Sequence, residues 1–193
     1  MRLGRSITLI AAVTLMAAFT VSAASATQPA AAANVCRSAI DRSAAVPPAP
    51  AGQATVTGVR IGNHENETLR YDRVVVDLTK PLGHYTVQYV PQVIADGSGN
   101  PVHLAGKAFL NVRFNAVGHD DNGHGTITTS TDQVADWGSL REVRLVGDFE
   151  AVMNFGIGLR ASTDFVVSTL TSPNRLVIDV AMPGQHPWRQ CRP

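Results

Sequence analysis

The sequence predicts an all-β protein, a β-sandwich of two mainly antiparallel sheets made of about eight short strands. Apolar and polar residues alternate with a period of two in short runs across residues 55–182, as in strands that have one buried face and one wet face. Turn-forming residues separate these runs, and no run keeps a helical period for more than about two turns. A closed β-barrel would show the same alternation and is the alternative.

Each predicted strand rests on this alternation. In the run at 70–78, Val74 and Val76 fall on one face, whereas Arg73 and Asp77 fall on the other. The predicted strands are residues 70–78, 84–90, 108–114, 141–147, 165–169 and 176–180. The side chains predicted to be buried are Val74, Val76, Tyr85, Val87, Leu110, Val112, Val143, Leu145, Phe155, Phe165, Ile178 and Val180.

Proline, glycine, asparagine and aspartate mark the turns between the strands. They cluster at residues 81–83, 96–101, 120–123 and 172–174. Residues 132–137 are the one stretch inside the patterned region where we expect a single short turn of helix.

The N-terminal residues have the three parts of a secretory signal peptide. Arg2 and Arg5 precede an apolar run over residues 7–21, and a small-residue stretch ends at Ala26, after which we expect cleavage of the signal peptide 1–26. The apolar run is shorter than the ~20 residues that a membrane span needs. We therefore expect an exported, extracytoplasmic protein with no transmembrane segment after cleavage.

The two flanks of the predicted β domain carry the two cysteines. An Ala- and Pro-rich linker is expected at residues 27–54, before the domain at 55–182, and an irregular tail at 183–193. Cys36 lies in the linker and Cys191 in the tail. An exported chain with two cysteines most simply forms one disulfide. Two free or intermolecular thiols are the alternative.

The charge balance argues against a nucleic-acid partner. The chain has 16 Lys and Arg residues against 15 Asp and Glu residues, whereas binding to nucleic acid requires a surplus of basic residues that displaces counterions.

The sequence carries no recognisable active site, so we expect a non-enzymatic protein without a cofactor. It lacks Gly-x-Ser-x-Gly and His-Glu-x-x-His. The loop from His119 to His124 holds two imidazoles and two carboxylates, but its Asp-Asn-Gly sequence favours a solvated hairpin turn, and we expect no metal site. A hydrolase that uses the Asp148 and Glu150 carboxylates is a minor alternative.

Two glycines leave one strand face bare. In Phe-Gly-Ile-Gly-Leu at 155–159, Gly156 and Gly158 fall on the same face of a strand. We expect a neighbouring loop or a large side chain, such as Trp137, to pack there. A flat shelf for a ligand is the alternative.

One internal sequence similarity, here called the echo, places the same polar pair on two strands. Residues 73–78 recur in pattern as residues 175–180, each with Arg and Asp four residues apart on the wet face. Cross-strand salt bridges would explain such a pair. If the two strands lie in separate sheets, both outer faces of the sandwich carry it.

Several short motifs together resemble a known family. They are Asp-Gly-Ser-Gly-Asn-Pro-Val at 96–102, Ala-Phe-Leu-Asn-Val at 108–112, Leu-Arg-Glu-Val at 140–143, Gly-Asp-Phe-Glu at 147–150, Phe-Gly-Ile-Gly-Leu at 155–159 and Arg-Leu-Val-Ile-Asp-Val at 175–180. With the echo, they are similar to the AMIN family, small domains that accompany cell-wall amidases and secretion proteins. They are more similar still to the AMIN-like domain of exported proteins and lipoproteins of high-GC Gram-positive bacteria.

The resemblance, which covers about residues 56–182, implies a β-sandwich with a targeting or peptidoglycan-binding role and no catalysis. The expected partner is thus a cell-wall polymer. An envelope protein, bound by an interaction or scaffolding domain, is the alternative. Arg73, Asp77, Arg175 and Asp179 are the candidate ligand-binding residues because each Arg–Asp pair shares an exposed strand face. Arg offers planar donors to carboxylates, and Asp accepts from sugar hydroxyls.

Overall fold

The computed structural model describes residues 53–65 and 70–185, together with the backbone of two short strands before them. The described residues form strands, turns and bends and contain no helix, so none of them builds an apolar helix able to cross a membrane. The strands are β1 (Val35–Arg37), β2 (Arg42–Ala45), β3 (Val56–His64), β4 (Tyr71–Leu78), β5 (His84–Val90), β6 (Val93–Ile94), β7 (Pro101–Val102), β8 (Ala108–Asn115), β9 (Asp132–Val134), β10 (Leu140–Phe149), β11 (Val152–Leu159), β12 (Phe165–Leu170) and β13 (Asn174–Ala181).

Two antiparallel sheets make the sandwich. Sheet A has five strands in the order β1-β12-β13-β4-β3, and sheet B has six strands in the order β2-β5-β8-β11-β10-β9. A small two-stranded ribbon, β6-β7, is a separate sheet that is not paired with a strand of either large sheet. Neither sheet closes on itself, so the predicted sandwich is confirmed and the alternative of a closed barrel is wrong.

The inward faces of both sheets meet in one hydrophobic core. Eleven of the twelve side chains predicted to be buried are buried there, and full burial of a large apolar side chain contributes ~1.5–3 kcal/mol. Leu145 is the exception, because it is only partly buried. It directly precedes an irregularity in the β10–β11 register between Leu145 and Gly147, and such a bulge re-aims the neighbouring side chains.

Three segments are strands where the sequence predicted something else. Residues 132–134 form edge strand β9, which pairs with residues 142–144 of β10, so the predicted helical turn is wrong. Pairing with β10 supplies backbone hydrogen bonds that one isolated helical turn lacks. Within the predicted linker, β1 extends sheet A beside β12, and β2 extends sheet B beside β5.

The bare glycine face of β11 is covered by the chain itself. Residues 91–107, here called the covering segment, pack on the outer face of sheet B. A Cβ atom at Gly158 would lie 2.0 Å from the carbonyl oxygen of Ala105, and one at Gly156 would lie 2.7 Å from Leu104. The predicted packing of a neighbouring loop is confirmed, and the alternative of an open shelf for a ligand is wrong.

Two polar contacts join the sheets through the core. The carboxylate of Asp72, which is fully buried in β4, accepts hydrogen bonds at 2.8 Å from the backbone N–H groups of Ser139 and Leu140 at the start of β10. In β5, the Tyr89 hydroxyl donates to the Thr163 carbonyl and accepts from the Thr163 N–H, both at 2.9 Å. Burial raises the pKa of Tyr89 above its ordinary value.

Other predictions lie outside the described residues. They concern the signal peptide at 1–26 and the partner cysteine, Cys191. Cys36 lies in β1, whose backbone is described, opposite Val166 of β12. The disulfide therefore stays a prediction.

Candidate binding face

The four predicted ligand-binding residues lie together on the outer face of sheet A. Strands β4 and β13 are neighbours in this one sheet, so both copies of the Arg–Asp pair lie on the same outer face and not on two separate ones. Their antiparallel register places Arg73 opposite Asp179, and Asp77 opposite Arg175. The alternate residues of both strands point into the core, which leaves all four of these side chains on the outward side.

Arg73 and Asp179 form a bidentate salt bridge. Arg73 donates from Nε and from its second terminal nitrogen to the two carboxylate oxygens of Asp179, at 2.6 and 2.8 Å. The Arg73 guanidinium also stands 5.1 Å from the centre of the Tyr71 ring. The Tyr71 ring in turn stacks on His64 with ring centres 4.4 Å apart. An aromatic pair therefore flanks the ion pair on this face.

The second pair expected from the register does not form. Both oxygens of Asp77 accept hydrogen bonds at 2.7 Å from Arg60 of the edge strand β3. The pKa of Arg60 is raised, first by this hydrogen bond and further by the charge of Asp77, against the opposing effect of burial. Nε of Arg175 donates instead to the carbonyl oxygen of Pro173, at a long 3.4 Å.

A small apolar strip separates the two ion pairs. Val75 of β4 lies opposite Val177 of β13, and both side chains are buried although they belong to the outer face. The outer face therefore carries charged side chains on both sides of a small, buried apolar strip. The arginines are the more exposed partners: the side chains of Arg60 and Arg73 are 52% and 35% exposed, whereas those of Asp77 and Asp179 are 26% and 15% exposed. Both pairs are therefore only partly shielded from solvent, which screens their attraction.

An open cavity of about 700 Å³ lies at one end of the sandwich, where Lys80 meets the loop that holds His119 and Asp120. Asp120 Oδ1 accepts hydrogen bonds from the backbone N–H groups of Asn122 and His124, at 2.9 and 2.8 Å. The bond from His124 is the main reason that the pKa of Asp120 is lowered. The predicted hairpin turn is confirmed. The described residues contain no group of three or more His, Cys, Asp or Glu side chains placed to hold a metal ion.

The two carboxylates considered for hydrolysis serve different local structures. Asp148 accepts a hydrogen bond at 3.0 Å from the backbone N–H of Gly118. Glu150 occupies the β10–β11 turn with a φ of 50°. Asp148 therefore anchors the loop that begins at Gly118.

Sequence reasoning missed three residues of the outer face of sheet A. Arg60 and His64 belong to β3, where glycines at 58 and 62 interrupt the apolar alternation, and the strand was not predicted. Tyr71 lies two residues before Arg73, and period two places it on the same face. That spacing was the available signal for Tyr71.

A comparison with protein-family models matches residues 54–182 to the AMIN-like domain. The chain belongs to the AMIN-like domain family. The match spans nearly the whole described sandwich and confirms the resemblance seen in the sequence motifs. Comparisons with curated proteins and with solved structures gave no significant match. Membership of the AMIN-like family indicates a module related to the cell envelope and an extracytoplasmic location.

Proposed function

We propose that this AMIN-like protein is an exported, non-catalytic module that binds peptidoglycan or another wall polymer through the outer face of sheet A. The observation that carries the proposal is the gathering of Arg60, Arg73 and Arg175 with two aspartates on one outward face. The predicted signal peptide and the family membership support the cell-envelope context.

The chemistry of the face suits an extended, hydrated polymer. The Arg guanidinium groups present planar donors that match carboxylate and phosphate oxygens. The Asp77 and Asp179 carboxylates accept hydrogen bonds from hydroxyl groups. The stacked His64 and Tyr71 rings add a flat, partly exposed surface beside Arg73. A polymer that lies on this face would stay in contact with water, and such charged contacts are individually weak and screened by salt, so affinity should be modest and should fall as ionic strength rises.

Co-sedimentation with purified sacculi tests the proposal. The protein should pellet with sacculi at low salt and be released at high salt. The double variant Arg73→Ala/Arg175→Ala should pellet less. The matched control Lys107→Ala/Arg113→Ala, which removes the same charge from residues on the sheet B side, should pellet like the parent protein.

Three results would contradict separate parts of the proposal. A protein that stays in the supernatant at low salt does not bind the wall. Equal pelleting of the folded Arg73→Ala/Arg175→Ala variant rejects the sheet A face. Release of soluble wall fragments during the incubation rejects the non-catalytic role.

An envelope-protein partner is the second candidate, and two exposed apolar side chains favour it. Val134 of the edge strand β9 is 72% exposed, and Phe149 at the end of β10 is 65% exposed. Exposed apolar residues near a free sheet edge are typical of protein contacts. Cross-linking in intact cells from a photoreactive residue at position 134 would capture such a partner.

A further inference from the structure

Asp77 pairs with Arg60, and this pairing leaves Arg175 of the outer face without a carboxylate partner. The antiparallel register puts Asp77 directly opposite Arg175, as it puts Asp179 opposite Arg73. Only the second of these two pairs forms. Among the described residues, the bond to the Pro173 carbonyl is the one hydrogen bond of the Arg175 guanidinium, and Asp77 is occupied by Arg60.

Gly58 explains why Asp77 turns toward β3. The β3–β4 register places Gly58 opposite Asp77 and Arg60 opposite Val75. With no side chain at position 58, the carboxylate can lean toward β3. A Cβ atom there would lie 3.4 Å from Asp77 Oδ2, in contact with the carboxylate as it now stands. Arg60 reaches the same carboxylate along the diagonal of the sheet, a distance that long side chains span.

The charge left on the face is positive. Arg60, Arg73 and Arg175 face Asp77 and Asp179 on three neighbouring strands. Arg60 and Arg73 each use two nitrogens on a carboxylate. Most of the N–H donors of Arg175 remain for another acceptor, and their planar fork fits two oxygens of one oxyanion.

We infer that Arg175 is the residue with which this face binds an oxyanion, a carboxylate or a phosphodiester of the polymer, and that Arg60 keeps it available by holding Asp77. The inference rests on the proposed function for its polymer. Asp77 thereby acts as an internal competitor: whenever Arg60 is absent, its carboxylate can turn to Arg175 and occupy the site.

Titration with two defined polyanions tests this inference. Poly-L-glutamate and polyphosphate are added separately to the protein at physiological ionic strength, where screening over about 8 Å suppresses remote charges. NMR signals of the arginine Nε–H groups report the site. The Arg175 signal should shift with the polymer that is bound, which tells a carboxylate from a phosphate oxyanion. Arg175→Ala should weaken binding about five-fold, and Arg175→Lys, which keeps the charge without the fork, about two-fold.

Variants at Arg60 and Asp77 test directly whether Asp77 competes with the ligand for Arg175. Arg60→Ala should weaken binding about three-fold because Asp77 then pairs with Arg175, whereas Arg113→Ala on the other sheet should change it little. The double variant Arg60→Ala/Asp77→Asn should bind more tightly than Arg60→Ala, because no carboxylate then competes for Arg175. The charge-matched double variant Arg60→Ala/Asp132→Asn should stay as weak as Arg60→Ala, since Asp77 is still present.

Two outcomes would overturn the inference. One is equal binding by the parent and the folded Arg175→Ala protein. The other is equal affinity of the two double variants. Neither readout uses sacculi. If the Arg175 signal shifts with a polyanion but the protein does not co-sediment with sacculi, the proposed wall binding is refuted and the oxyanion site is supported. If Arg175→Ala co-sediments with sacculi as well as the parent protein does, and neither polyanion shifts the Arg175 signal of the parent, wall binding is supported and the Arg175 site is refuted.

Discussion

Replacement of Asp72 by alanine should destabilise the sandwich more than any surface change, although Asp72 lies far along the chain from the residues that it holds. Its carboxylate accepts hydrogen bonds at 2.8 Å from the backbone N–H groups of Ser139 and Leu140, and at 2.9 Å from the side-chain amide of Asn63. Asp72, Ser139 and Leu140 are fully buried. The alanine variant would leave two buried backbone donors without an acceptor.

The expected loss follows from those donors. A buried donor left unsatisfied costs about 1–3 kcal/mol, so two of them predict roughly 2–6 kcal/mol. Removing the Asp72 charge also removes the cost of burying that charge, which offsets part of the loss. The missing carboxyl group leaves a small cavity, which adds to the loss. We expect a loss of about 4 kcal/mol in the free energy of unfolding. For a chain of this size, that loss lowers the melting temperature by roughly 8–16 °C.

Chemical denaturation followed by tryptophan fluorescence, together with calorimetry, measures the effect. Asp72→Asn keeps one carbonyl oxygen for the backbone donors and should lose only about 1–2 kcal/mol. Asp132→Ala is the matched control because it breaks an exposed salt bridge to Arg144, and it should lose less than about 1 kcal/mol. An Asp72→Ala protein within about 1 kcal/mol of the parent would refute the bridging role of Asp72.

Three further outcomes are expected. Gly158→Ala should lower the free energy of unfolding by at least about 2 kcal/mol, because the added Cβ would collide with the Ala105 backbone; an unchanged melting temperature would show that the covering segment moves away freely. The pKa of Asp120 lies below its ordinary 3.8 in the folded protein, so its ionised form stabilises the loop above that pH and this support is lost as pH falls through the lowered pKa. NMR of the loop amides should register the change below about pH 3.8, and loop signals that stay constant down to pH 2 would contradict it. Non-reducing peptide mapping should recover one Cys36–Cys191 cross-link per exported chain, and two free thiols would refute it.

The alternation of apolar residues predicted strands where it runs unbroken along a face that packs on the core, and it missed β3, where Gly58 and Gly62 interrupt it. Residues 84–90 and 108–114 match β5 and β8 within a residue. Strand β9 was missed because an edge strand is held by backbone pairing with β10, which leaves no apolar period in three residues. The short strands β1 and β2 escaped prediction for the same reason.

The candidate site could be predicted only in part, because its decisive contacts join residues far apart in sequence. The echo identified Arg73 and Asp179, which do pair across β4 and β13. Nothing in the echo shows that both strands belong to one sheet, or that β3 lies beside β4. The capture of Asp77 by Arg60 depends on this strand order and on the glycine opposite Asp77.

The most direct test of the proposed binding face is an NMR map of the protein with soluble glycan–peptide fragments released from sacculi by a lytic enzyme. Backbone amide and arginine Nε–H signals should shift on the outward side of β3, β4 and β13, with Arg175 among the most affected. Signals from the covering segment at 91–107 should stay in place. Shifts centred on Val134 and Phe149, or on the cavity beside Lys80, with sheet A unchanged, would contradict the assignment of polymer binding to this face.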